Sequence, residues 1–119
     1  MHDPAAFIKK VSGSFDDPAS DIRTAKAHSI VNARSLPARD ATTEDRQAHE
    51  DLMSRVRRIV VQVTRHPDKA VKAKISSRFL NRVRSVGPDI CGISYCNAVH
   101  EALNTYCNEN PEAMPEDGA

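Results

Sequence analysis

Apolar side chains recur every three or four residues through the middle and end of this chain. From Thr43 to about Arg65, Ala48, Leu52, Met53, Val56, Ile59, Val60 and Val63 share one stripe, while Asp51, Arg55, Arg58 and Arg65 share the other side. At about 3.6 residues per turn this spacing predicts an amphipathic helix. Taken alone, residues 59–63 would suit a strand, because most of them are β-branched. The stripe starts well before them and runs on unbroken, so helix is the expectation. A second stripe of Val71, Ile75, Phe79, Val83 and Val86 predicts a helix from Asp68 to Val86. A third, of Tyr95, Ala98, Val99, Ala102, Leu103 and Tyr106, predicts a helix that opens at Asp89 or Ser94 and ends near Asn108.

Punctuation sets the limits. Asp3-Pro4 and Asp17-Pro18 each pair an N-cap residue with proline at the first helical position. The first opens a short helix to Val11, ended by Gly13. The second opens a longer one to about Ser35, closed before Leu36-Pro37. Residues 37–42 read as a polar linker. Thr42 with Asp45 resembles a capping box in which Asp replaces the usual Glu or Gln. His66-Pro67-Asp68 breaks the helical pattern, and Gly87-Pro88 matches the usual C′ glycine followed by proline. From Asn110 to Ala119 the chain has two prolines, three acids and no aromatic or branched aliphatic residue, which predicts a disordered acidic tail. The expected fold is therefore all-α: a small bundle of about four main helices plus a short N-terminal helix. One helical domain covers residues 1–109, and the tail covers 110–119.

Composition narrows this further. Val, Ile, Leu and Phe supply 24 of 119 residues, about a fifth, so the expected core is thin and gains from a partner or from self-association. No run approaches the roughly 20 apolar residues that span a bilayer, and Met1-His2-Asp3-Pro4 does not begin a secretory signal. Four early aspartates argue against a mitochondrial presequence, so a cytoplasmic protein with reduced thiols is expected.

Charge is spread unevenly along the chain. Residues 51–86 carry ten basic and two acidic side chains, for +8, whereas residues 87–119 carry six acids and no Lys or Arg, for −6. The net charge of +1 hides this division. Lys74, Arg78 and Arg82 recur every four residues and form a line along one helix edge, with Ser77 and Asn81 beside them. Arg58 and Arg65 form a second line on the preceding helix. Such lines can stay solvated or be neutralised by the acidic end of the chain. They can also engage an acidic protein or a second copy, or dock on phosphates as a helix-turn-helix-like reader. The turn at His66-Pro67 lacks that motif's usual glycine, and the acidic end would repel phosphate nearby.

Other chemistry finds little support. Cys91, Cys96, His100 and Cys107 suggest a metal site. On one straight helix, however, Cys96 and Cys107 stand roughly 16 Å apart, too far for one zinc ion with bonds of about 2.3 Å. The His49-Glu50 and His100-Glu101 neighbours point about 100° apart on a helix, and the chain has no phosphate-cradling glycine loop. Neither an enzyme, a cofactor, a metal nor a small-molecule substrate is expected. The expectation is a non-enzymatic interaction module, a small regulator, inhibitor or adaptor. It would bind a protein partner through the basic helix pair of Arg58, Arg65, Lys74, Ser77, Arg78, Asn81 and Arg82, as a homo-oligomer. The alternative is a DNA- or RNA-binding regulator of transcriptional or plasmid and phage type, using the same side chains on phosphates.

Overall fold

Among the described residues, four helices form where three apolar stripes and the Asp17-Pro18 punctuation place them. In the computed structural model, which describes residues 18–114, α1 spans Pro18–Arg34, α2 Thr43–Thr64, α3 Lys69–Arg84 and α4 Gly92–Glu109. A 3₁₀ turn, Pro111–Ala113, follows. No strand occurs among the described residues, and residues 59–63 belong to α2. The short helix expected over Pro4 to Val11 and the Asp17 cap lie outside the described residues, as do residues 115–119 of the expected tail.

Two caps act as their residue types dictate. The Thr42 hydroxyl accepts from the Asp45 N–H at 3.0 Å, the forward half of a capping box. The Asp68 carboxylate accepts from Ala70 and Val71 at 2.9 and 3.1 Å.

The ends of α3 and α4 depart from expectation. α3 stops at Arg84 with Ser85 as its cap, so Gly87 is not a left-handed C′ residue. The glycine with positive φ is Gly92, at +67°, where the chain turns into α4. Gly87 lies in the α3–α4 loop, and its carbonyl accepts from the Arg34 guanidinium. The stretch expected to begin a disordered tail packs instead. Asn110 caps α4, and both Asn110 and Ala113 are buried, Ala113 in the turn that packs on α2.

α1 lies most extensively along α3 and also packs on α2, while α4 bridges α3 and α2. The consecutive helices α2 and α3 diverge from their short turn and share little contact. The stripes read from the sequence line the core: Leu52, Val56, Ile59 and Val63 from α2, Ile75, Phe79 and Val83 from α3, and Val99 and Leu103 from α4. Tyr95, Tyr106, Cys96 and Cys107 complete what the aliphatic residues alone would fill thinly. The rings of Phe79 and Tyr106 lie 5.2 Å apart and tilted by 42°, within the range of favourable aromatic pairs. A second buried face of α3, formed by Lys72, Ser76 and Leu80, was not evident from its apolar stripe. Packed between α1 and α4, this helix is covered on more than one side.

Candidate functional site

The edge of α3 that carries Lys74, Arg78 and Arg82 runs beside the end of α4. Helical spacing puts successive members of this line one turn apart, and the two arginines reach the last residues of α4. Arg82 Nη2 donates to Glu109 Oε1 at 2.5 Å. Arg78 Nη1 donates to Asn110 Oδ1 at 3.0 Å. Asn110 is itself fixed, because its side-chain Nδ2 donates to the Tyr106 carbonyl at 2.9 Å. Arg78 is thus oriented by a neutral amide, while Arg82 is paired with a carboxylate.

Arg78, Asn81, Arg82, Ser85, Tyr106 and Glu109 line an open cleft of about 560 Å³. The Ser85 hydroxyl donates to the Arg82 carbonyl at 2.7 Å and Tyr106 donates to the Ile75 carbonyl at 3.0 Å, so the polar walls of the cleft are tied to its helices. Burial pushes the Tyr106 hydroxyl well above its ordinary pKa, and it remains a neutral donor.

Three of the residues read from the sequence, Arg78, Asn81 and Arg82, meet in this cleft. Lys74 is exposed one turn before Arg78, and Ser77 is half-buried on α3 outside the lining. Arg58 and Arg65 project from the outer face of α2, with exposed Val61 between them, and line no part of the cleft. The two basic lines therefore stand on diverging helices. Arg58, Arg65 and Lys74 form no ion pair among the described residues.

Other arginines hold the fold together. Arg55, placed on the polar side of its helix by sequence, donates to His100 Nδ1 and the His100 carbonyl, each at 3.3 Å, and to Asn104 Oδ1 at 2.7 Å. It clamps α2 to α4. Burial, with the Arg55 charge adding, lowers the His100 pKa. The neutral ring accepts from Arg55 at Nδ1, which assigns the proton to Nε2. Arg34, from the near-neutral first half of the chain, donates to the Gly87 and Ile90 carbonyls and lies over the Tyr95 ring, 4.3 Å from its centroid. Neither role has a local sequence signal, since every partner is 45 or more residues away.

A second recess, of about 470 Å³, lies between the α1–α2 loop and the start of α4 and includes Ser35, Asp45 and Cys91 in its lining. Its wall contains a serine–histidine contact that sequence spacing did not reveal: Ser35 Oγ and His49 Nδ1 are 3.0 Å apart. The Ser35 hydrogen is directed at the Val31 carbonyl, 2.6 Å away, so His49 is the donor in this pair. That hydroxyl is bound to the backbone and is not poised for attack.

Cys96 and Cys107 are buried and Cys91 is exposed. The Cys96 thiol donates to the Ala48 carbonyl at 3.5 Å. Burial raises the pKa of both core thiols, and Asp51 and Asp45 raise Cys96 further. Among the described residues no three of His, Cys, Asp and Glu gather as a metal-holding group, and no helix is long and apolar enough to cross a membrane. The chain matches no protein-family model, no curated protein and no solved structure.

Proposed function

We propose that this chain is a non-enzymatic interaction module, a small regulator, inhibitor or adaptor, that receives an acidic protein surface on α2 and α3. The observation that carries the reading is that Arg58, Arg65 and Lys74 are exposed and without ion pairs among the described residues. Cations left free of internal carboxylates add little to the stability of the fold, and they meet an opposite charge without first breaking a bond.

One feature favours a protein partner over nucleic acid: the basic lines stand on helices that diverge, so they do not form one tight reading unit. Self-association belongs to the same proposal. Val61, 45% exposed between two arginines, supplies an apolar centre to the outer face of α2.

The test is a titration of a fluorescent glutamate-rich peptide into the purified chain at about 50 mM salt, with duplex DNA titrated in parallel. The expected result is saturable peptide binding that weakens with salt and is lost in the triple variant Arg58→Glu/Arg65→Glu/Lys74→Glu, with helical circular dichroism retained. No binding at low salt, or binding indifferent to the three reversals, refutes the reading. Tight duplex binding with a steep salt slope would favour the nucleic-acid alternative. Sedimentation equilibrium decides self-association.

A further inference from the structure

The cleft between α3 and α4 already holds an anionic group, the carboxylate of Glu109 on Arg82. That pair is poorly placed to serve stability. Arg82 and Glu109 are 32% and 54% exposed, and water weakens ion pairs at such exposure. Glu109 is also the last residue of α4, where a negative charge opposes the helix dipole. Beside the pair, Arg78 is exposed, and among the described residues its one hydrogen bond goes to an uncharged amide. The two guanidiniums lie one helical turn apart on the same edge. The cleft thus contains two cations and one internal carboxylate that is weakly held.

We propose that Glu109 is an internal stand-in for a partner's carboxylate: an acidic segment of a partner protein displaces it from Arg82 and engages Arg78 in the same step. The proposal rests on the reading of the chain as a receptor for acidic protein surfaces, and extends that surface from Lys74 one turn along α3 into the cleft, where Glu109 competes for it. The chemistry of the ligand is taken from the group seated there, a carboxylate on a guanidinium. Release costs little because the pair is exposed, and the incoming segment gains a second cation that Glu109 leaves without an ionic partner. Glu109 therefore sets a threshold: a single carboxylate exchanges evenly with it, and only a segment presenting several gains affinity.

The experiment measures binding of a hexaglutamate peptide to the full chain and to three variants. Glu109→Gln is expected to tighten binding by about 2- to 5-fold, the range spanned by an exposed ion pair. Glu101→Gln removes the same charge from an exposed position two turns earlier on α4, and is expected to change affinity much less. In the double variant Arg82→Gln/Glu109→Gln the gain should vanish, because the group being unmasked is absent. Thermal melting should place Glu109→Gln within a few degrees of the unmodified chain, whereas a structural role for the pair predicts a clear loss.

Equal effects of Glu109→Gln and Glu101→Gln would overturn the exchange and leave the broader reading standing, since net charge alone would then explain them. A gain for duplex DNA but not for hexaglutamate would overturn the choice of a protein partner. If neither the chain nor any variant binds hexaglutamate, the exchange falls together with the reading on which it rests.

Discussion

Replacing Arg34 by methionine tests whether the loop between α3 and α4 is held from α1. Methionine keeps most of the aliphatic stem and removes the guanidinium from the Gly87 and Ile90 carbonyls and from the face of Tyr95. The part-buried bond to Ile90, 2.8 Å long, is worth about 1 kcal/mol. The exposed bond to Gly87 adds roughly a few tenths. The stacked cation adds about 0.5–1 kcal/mol at this half-buried position. The sum is roughly 2 kcal/mol, which for a domain of this size lowers Tm by about 8 °C. Arg34→Lys keeps the charge without the planar fork, so it should lose about half as much. Urea denaturation and thermal melting followed by circular dichroism measure both. An Arg34→Met midpoint within about 0.5 kcal/mol of the unmodified chain would refute the clamp, since even the bond to Ile90 alone exceeds that.

Positions that look alike in sequence should respond differently to the same kind of substitution. Tyr106→Phe should cost about 1 kcal/mol by removing a buried bond to the Ile75 carbonyl, whereas Tyr95→Phe should cost nothing or stabilise. The Tyr95 hydroxyl is buried with no hydrogen-bond partner among the described residues, and urea midpoints read both substitutions. Gly92→Ala should destabilise by roughly 1–2 kcal/mol through backbone strain alone, because an added Cβ would meet nothing within 4 Å. Gly87→Ala, with no left-handed φ and an ordinary 3.7 Å contact to Ile90, should be neutral or gain up to about 1 kcal/mol. Stability should also fall as pH drops below about 6.5. Burial lowers the pKa of His28 and His100 in the fold, with the nearby Arg57 and Arg55 charges adding. The unfolded chain therefore takes up these protons first, and the loss levels off once the folded histidines also titrate. Urea midpoints between pH 5 and 7 should flatten in the double variant His28→Gln/His100→Gln, and an unchanged slope would rule these histidines out.

Much of the fold was legible locally, because a helix announces itself through spacing. The stripe from Leu52 to Val63 and the cap at Thr42 each depend on residues within a few positions of one another, and each appears where expected. Gly87 shows the limit of such reading. A glycine followed by proline fits a helix end, but α3 had already closed at Ser85 and the left-handed turn was needed at Gly92. The packing of α1 was also hidden. Its buried side is Thr24, Ala27 and Val31, modest residues that carry a faint apolar signal on a helix that still packs extensively against α3.

Half of the candidate site could be read and half could not, for the same reason. Lys74, Arg78 and Arg82 announce a charged edge by their spacing, but Glu109 and Asn110 join them from 27 or more residues later. No local pattern distinguished Arg55 and Arg34, which hold the fold, from Arg58 and Arg65, which project into solvent.

Short-range patterns along the chain are enough for the number of main helices, nearly all their limits, the inward stripes of α2, α3 and α4 and the division of charge, because backbone geometry and side-chain period act over a few residues. Which helix lies against which, and therefore which cations are bonded to carbonyls and carboxylates and which remain free, is set only when the helices pack. Those pairings depend on distances between segments far apart in the chain, which no periodicity encodes.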